Sequence, residues 1–396
     1  MSQSLEYNPF AYEIHEDPYP TYARLREEAP VYHNAELDFW ALSRHADVLA
    51  ALKDTERFTN THGVSVERSA SHPAAHLAMS FLGMDPPRHT KMRALVSRGF
   101  TPRRVAALEP RIREMAVTSL EAMRARARSE FIGDLAGTLP MDVISELLGV
   151  PSPDRAELRR HAELLVHREE GVFDVPRAAA EAFGKIWSYF SERIKERRAA
   201  PRDDLISALL AAEIDGERLS QIDIQSFCNL MIVAGNETTT KLLANALYWL
   251  WRNPDQRKAL RDDPTRIPRW VEETLRYDSS TQAIGRVTTR PVTANGVEIP
   301  EGKRVLVLIG SGNRDERAFP RPDAYDLERD TQAMLSFGHG AHFCLGAALA
   351  RLEGRVVLEE FWKRFPDFEV EPAGIARIHS VSVRGFAALP IELRNG

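Results

Sequence analysis

The sequence predicts a mainly α protein with a minor β part. Three long segments carry apolar residues at helical spacing and are punctuated by proline. Strand-like runs, by contrast, are few and short. Taken in chain order, the first strand signal is Phe39-Trp40-Ala41-Leu42. Helical segments follow over about residues 102–128, 176–198 and 220–252. The third opens on Ser220 with Asp223 three residues later, a capping box that satisfies the free amides of a helix start. It is nearly three times the mean helix length of about 11–12 residues, so it is expected to cross the whole body. Its Asp223, Asn229, Asn236, Glu237 and Lys241 exclude a membrane helix. A second strand, residues 304–309, is entered from the turn-like Pro300-Glu301-Gly302, and Ser380-Val381-Ser382-Val383 alternates like a strand of a hairpin.

Composition narrows the function classes. The chain has 396 residues, and 52 Lys and Arg stand against 57 Asp and Glu, a net charge of −5. Hydrophobic residues make up 43%, enough to bury a sizeable core and to exclude global disorder. The mild acidity argues against general nucleic-acid binding. Cys228 and Cys344 are the two cysteines, so no disulfide framework is possible and a reducing compartment fits. The N-terminus lacks a basic start followed by an apolar run, and no stretch approaches the roughly 18 apolar residues of a membrane span. With no repeat, low-complexity tract or linker, the expectation is a single cytoplasmic domain over residues 1–396.

Residues 337–346, F-G-H-G-A-H-F-C-L-G, carry the strongest chemical signal. Gly338 and Gly340 permit backbone angles closed to other residues, so the loop can wrap tightly round one point. Cys344 then stands at the mouth of a helix, where free amides and the helix dipole favour a thiolate. Such a thiolate, with Phe337 excluding water, suits the axial position of a haem iron. A buried cysteine on a glycine turn and a zinc site of His339, His342 and Cys344 are the competing readings.

The pattern Phe337-Gly338-x-Gly340-x-His342-x-Cys344-x-Gly346 resembles the haem-binding loop of bacterial soluble cytochromes P-450. The resemblance covers almost the whole chain, because further motifs follow in order. Glu273-Thr274-Leu275-Arg276 resembles the family's E-x-x-R helix, in which Glu273 and Arg276 pair on one face. The family's third member is an arginine where this chain has Ala324, which leaves Arg321 as a candidate. Gly312-Asn313-Arg314-Asp315 also resembles the family. Ala234-Gly235-Asn236-Glu237-Thr238-Thr239 resembles its oxygen-activation segment. There Thr238 can bond back to the Ala234 carbonyl, bending or widening the helix, and Gly235 leaves room for a diatomic ligand. Glu237 and Thr238 supply an acid and an alcohol for proton relay. His89 and Arg93, four apart, resemble the haem-propionate helix, with Arg286 and His342 as further propionate partners.

The resemblance implies the triangular, mostly helical P-450 fold, haem b with Cys344 as axial ligand, and Ala234, Gly235, Phe337, Gly338 and Gly346 against the cofactor. The activity implied is a monooxygenase that inserts one atom of O2 into a C–H bond of a lipophilic small molecule: a terpenoid, steroid, fatty acid or polyketide. Electrons would come from a ferredoxin-type donor with an NAD(P)H-dependent reductase upstream, and the chain would act as a monomer. A peroxide-driven peroxygenase and a non-catalytic haem sensor or carrier are the alternatives; the Glu237 and Thr238 pair counts against both. By the family's topology the pocket draws on residues 60–82, 164–175, 232–235, Ala283, Ile284 and 381–386. The basic run Arg88, Lys91, Arg93, Arg98, Arg103, Arg104, Arg111 and Arg113, faced by Glu109 alone and joined by Arg351 and Arg355, is either a solvated surface or a donor-docking patch.

Overall fold

The computed structural model describes residues 5–126, 128–214 and 216–394. The first four residues, part of the leader argument, lie outside them. The long helix forms over Gln221–Arg252, with Ser220 as its cap and both bonds of the capping box in place. At about 1.5 Å per residue it spans nearly 50 Å. Its first turns, with Ile224, Phe227 and Cys228, belong to one apolar cluster. Its last turns, from Leu242 to Leu250, belong to another. The helix therefore crosses the body and joins its two main cores, as its length predicts.

Arg177–Ala199 forms the second expected helix. The segment 102–128 does not form one helix. It divides into Pro102–Ala107 and Glu109–Arg124, because Pro110 lacks an amide proton and sits in the first turn of the second piece. Its last residue, Arg128, instead begins a short strand, Arg128–Glu130.

Phe39–Leu42 is a strand as expected, and the second strand is Arg304–Val307, which ends before Ile309 opens a helical turn. The two pair in parallel inside a five-stranded sheet, with Val305 opposite Trp40. Residues 380–383 are not a hairpin strand. Val383 makes one isolated bridge to Thr281, while the paired strands are Ala376–Arg377 and Phe386–Ala388 on either side. The reason is a competing partner: Gln282 N–H donates to the Ser382 carbonyl, and Arg384 N–H donates to the Ser280 carbonyl.

Glu273 and Arg276 are 1% and 0% exposed and paired through two bonds of 2.7 and 2.8 Å. Arg276 also donates to the carbonyls of Asn313, Pro322 and Ala324. The third partner is Arg329, whose Nε stands 3.3 Å from Glu273 Oε1. Arg321 is exposed and binds Asp326 instead. This knot ties the helix Ile267–Tyr277 to the meander that leads into residues 337–346.

Candidate active site

The loop of residues 337–346 closes on itself: Cys344 N–H donates to the Phe337 carbonyl at 2.8 Å. Gly338 and Gly340 have φ of 67° and 71°, the left-handed region that glycine alone enters freely. A side chain at Gly340 would also stand 3.1 Å from Lys53 Cα. The helix Ala347–Arg364 starts just beyond Cys344. Burial pushes the Cys344 thiol up, while the amides of Gly346 and Ala347 and the charges of Arg93 and Arg351 pull it down. The balance is upward in the chain alone, against the helix start and its amides. A metal cation at the sulfur would supply the missing stabilisation. Cys344 is half-buried, and the space it faces is a cavity of about 240 Å3.

The opposite wall of that cavity is the long helix, which presents Ala234, Gly235 and Thr238. Thr238 Oγ1 donates to the Ala234 carbonyl at 2.8 Å, as expected, yet the helix runs on without interruption. A Cβ at Gly235 would meet Ile144 Cγ1 at 3.3 Å, so part of the space at that glycine is taken by Ile144. Glu237 is 1% exposed and is not among the cavity-lining residues. Its carboxylate lies 3.4 Å from Lys241 Nζ and accepts from Asn236 Nδ2 at 3.0 Å. The acid and the alcohol are thus neighbours in sequence that face different surroundings.

At one rim of the cavity four basic groups converge. Arg93 and His89 come from the helix Arg88–Val96, Arg286 from the strand Ile284–Thr288 and His342 from the turn Gly340–His342. The His89 and His342 rings are 4.1 Å apart. Neither ring reaches a hydrogen-bond partner, although the Met84 backbone stands near enough to His342 to favour its charged form. Burial lowers His89 and takes His342 down to about 3, with His89, Arg286 and Arg93 adding repulsion. Arg286 is 4% exposed, bonds to the Gly285 carbonyl, and is lowered to about 10 by burial. Arg93 reaches the Phe343 carbonyl. Among the described residues none of the four forms an ion pair. Asp85, the acid whose charge reaches His89 and Arg286, already accepts from Thr59 and the Asn60 amide.

The buried guanidinium of Arg286, with Arg93 beside the same cavity, is costly without a counter-charge unless a ligand supplies the anions. A planar group with two carboxylates would do so. Gly346 has nothing within 4 Å of where a Cβ would stand. The residues therefore fit haem b, with sulfur from Cys344 and carboxylates toward Arg93, Arg286, His89 and His342. Phe337 lines the same cavity, with Arg351 4.5 Å from its ring centre.

Some lining residues carried no motif. Ile144, Leu230, Met231, Ser280 and Thr281 line the cavity, together with the expected Phe81, Leu82 and Ile284. Residues 164–175 and 381–386 do not line it. Val166 and Val383 instead pack together with Ile378 and Val233. Glu353 also lines the cavity while only 2% exposed, and burial raises its carboxyl to about 8. Its position four residues after Leu349, on the same helix face, was the available sign. For Lys241 the sign was the four-residue spacing from Glu237.

Fold and site together define a haem-thiolate protein. Residues 174–378 match the family model for cytochrome P-450. Over 388 residues the chain is 50% identical to the Mycobacterium tuberculosis protein designated cytochrome P-450 123, covering 98% of this chain and 96% of that one. It is 40% identical over 389 residues to the monooxygenase PikC of Streptomyces venezuelae, covering 96% and 92%. Among solved structures, a Bacillus megaterium cytochrome P-450 in complex with testosterone superposes with a TM-score of 0.89 at 31% identity, covering 97% of this chain and 100% of that one. The chain belongs to the cytochrome P-450 family. It is a monooxygenase, and its cofactor is haem b. No helix among the described residues is long and apolar enough to cross a membrane.

Proposed function

We propose that the chain, as one domain over residues 1–396 and a cytoplasmic monomer, inserts one oxygen atom from O2 into a C–H bond of a lipophilic small molecule. The observation that carries this reading is the wall of the cavity away from Cys344: Phe81, Leu82, Ile144, Leu230, Met231 and Ile284, relieved by Ser280 and Thr281. Such a surface rewards apolar area and offers few polar anchors. A terpenoid, steroid, fatty acid or polyketide skeleton fits it, and the testosterone complex of the Bacillus megaterium relative supports the steroid class.

Haem, when bound, supplies activation of O2 and the oxidation itself, and the protein supplies binding, orientation and electrostatics. Cys344 would hold the group through its sulfur, in a loop set by its N–H bond to the Phe337 carbonyl and by Gly338 and Gly340. Arg93, Arg286, His89 and His342 would hold its two carboxylates, the two arginines supplying the charge. Phe337, with Arg351 against its ring, would help keep water from the sulfur, and Ala234 and Gly235 would line the space beside the bound group. Thr238 keeps its hydroxyl proton on the Ala234 carbonyl, so its oxygen lone pairs are available to water in the cavity. Glu237 is assigned as the acid of the pair: its carboxylate, which faces Lys241, would first take up a proton and then pass it through water to the Thr238 oxygen.

Electrons are assigned to a ferredoxin-type donor, reduced through an NAD(P)H-dependent reductase. The docking patch is smaller than the basic run. Arg113 is paired with Glu109, Glu359 and Glu360, Arg355 with Glu109 and Glu359, Arg111 with Glu114 and Glu146, and Arg351 with Glu272. Arg98, Arg103 and Arg104 are exposed and form no ion pair among the described residues. These three are left to attract an acidic partner.

A screen for substrate-induced spin-state shifts, followed by turnover of the hits with a surrogate ferredoxin system or with hydrogen peroxide alone, tests the reading. Hydroxylated product with the ferredoxin system and not with peroxide is expected. Product from peroxide alone would make the chain a peroxygenase, and binding without product in either arm would make it a carrier.

A further inference from the structure

Ser280 and Thr281 line the cavity, yet the segment that holds them in place does not. Gln282 N–H donates to the Ser382 carbonyl and Arg384 N–H to the Ser280 carbonyl, each at 2.8 Å, with Thr281 bridged to Val383 between them. A ladder of two hydrogen bonds is marginal by itself and sets its register weakly. A slip of one residue would part Val383 from Val166, Val233 and Ile378, with which it packs, or shift Thr281 in the cavity wall.

The side chain of Arg384 supplies what the ladder lacks. It is 5% exposed, and its three nitrogens all donate. Nε bonds Asp278 Oδ1 at 2.7 Å, Nη1 the His15 carbonyl at 2.6 Å and Nη2 the Glu16 carbonyl at 3.1 Å. Those two carbonyls end the helix Tyr12–Glu16. Asp278 is 1% exposed and is itself fixed: the Tyr19 hydroxyl donates to Oδ1 and Trp249 Nε1 to Oδ2, both at 2.7 Å, with Arg377 Nη1 3.5 Å away. From the long helix, Asn245 Nδ2 donates to the backbone carbonyls of Asp278 and Arg384 at 2.9 and 3.3 Å. Burial acts to raise the Asp278 carboxyl, but the charges of Arg384 and Arg377 outweigh it and hold it well below the usual carboxylate range.

Arg384 is therefore located by the N-terminal helix, by Asp278 and by the long helix, none of which depends on the ladder. A guanidinium can serve a carboxylate and two carbonyls at once because its donors are set in a rigid plane, which an ammonium lacks. A buried ion pair often adds little stability over apolar packing, so the arrangement is better explained by the geometry it fixes.

We propose that Arg384 is a positioning residue for the substrate: its anchored side chain sets residues 382–384 against residues 280–282 and thereby places Thr281 in the cavity wall. This rests on the reading of the cavity as the substrate site. Thr281 is half-buried, and among the described residues its hydroxyl has no hydrogen-bond partner, so its place decides which shape and which polar group that wall accepts.

The test compares two iron ligands in the haem-loaded protein by their red-shifted Soret bands. Imidazole occupies only the space at the iron, whereas phenylimidazole also reaches into the cavity. The ratio of their dissociation constants thus reads the wall and cancels changes at the iron. Arg384→Lys, which keeps the charge and loses the planar fork, should change that ratio by about 3-fold or more, within the ~10²-fold that a misplacement of about 1 Å can cost. Arg384→Gln should change it at least as much. Trp249→Phe removes the bond to the other Asp278 oxygen and leaves Arg384 anchored, so it should lower stability and keep the parental ratio. Thr281→Trp, which overfills the wall, should weaken phenylimidazole against imidazole by about 10-fold or more. A parental ratio in both Arg384 variants, with the loss present in Thr281→Trp, would overturn the positioning role and leave the cavity reading standing. An equal change in Trp249→Phe would reduce the network to fold stability and overturn the role as well. A parental ratio in Thr281→Trp would overturn the reading of the cavity, and the proposal with it.

Discussion

Arg329 reaches Glu273 across 56 residues of chain, its Nε 3.3 Å from Glu273 Oε1, and so completes a buried triad with Arg276. The same guanidinium donates to the carbonyls of Pro320, Arg321 and Ala324. An arginine five residues beyond the expected place thus serves the same carboxylate, because the intervening turn folds back over the helix Ile267–Tyr277.

Removing that partner leaves a buried carboxylate with one cation and frees the carbonyls of Pro320 and Arg321, while Ala324 keeps its bond from Arg276. Breaking a buried pair typically costs about 3–5 kcal/mol, and the remaining Arg276 places Arg329→Ala at about 3 kcal/mol. Arg321→Ala, at an exposed pair, should change stability by less than about 0.5 kcal/mol. Chemical denaturation of both variants, haem-free and haem-loaded, measures the difference. Equal midpoints would remove Arg329 from the triad.

Thiolate ligation distinguishes the two cysteines. Reduced protein with carbon monoxide should show the strongly red-shifted Soret band of a thiolate adduct, and Cys344→Ser should lose it. Cys228 is 0% exposed in the core, and burial pushes its thiol far up, so Cys228→Ser should keep the band. Persistence of the band in Cys344→Ser would end the assignment.

Electron delivery tests the reduced basic patch. Reversing charge at Arg103 and Arg104 should slow the first electron transfer from a ferredoxin at low ionic strength and leave substrate binding unchanged. The effect should fade as salt shortens the screening length to about 10 Å at 0.1 M. Stopped-flow reduction at low and high salt reads it, and identical salt slopes in mutant and parent would make the patch a solvated surface.

Glu353 gives a pH dependence with a defined sign. Burial raises its carboxyl from 4.5 to about 8. Between those values the folded chain holds a proton that the unfolded chain has released, so its contribution to stability is full below pH 4.5 and falls as pH rises toward 8. By pH 9 the loss should amount to a few kcal/mol. Glu353→Gln in the haem-free chain should flatten this slope, with stabilities measured at pH 5 and pH 9. A slope as steep as the parent's would show that Glu353 titrates normally.

The sequence by itself determined the features that depend on neighbours along the chain. The capped long helix, the glycine turn that delivers Cys344, the back-bond from Thr238 to Ala234 and the Glu273–Arg276 pair each follow from spacing of four residues or fewer or from backbone angles that glycine alone permits. His89, Arg93, Arg286 and His342 were legible only through the family resemblance, and the packed structure brings them to one rim. Tertiary structure alone decided which partners meet across distance. Arg329 took the place of the arginine absent at Ala324, glutamates paired Arg111, Arg113, Arg351 and Arg355 of the basic run, and Pro110 divided a helix that periodicity joined. It also turned Glu237 toward Lys241. The physical reason is that charge pairing and burial are properties of packed surfaces, and a charged side chain carries no mark in sequence of the distant carboxylate or apolar wall it will meet.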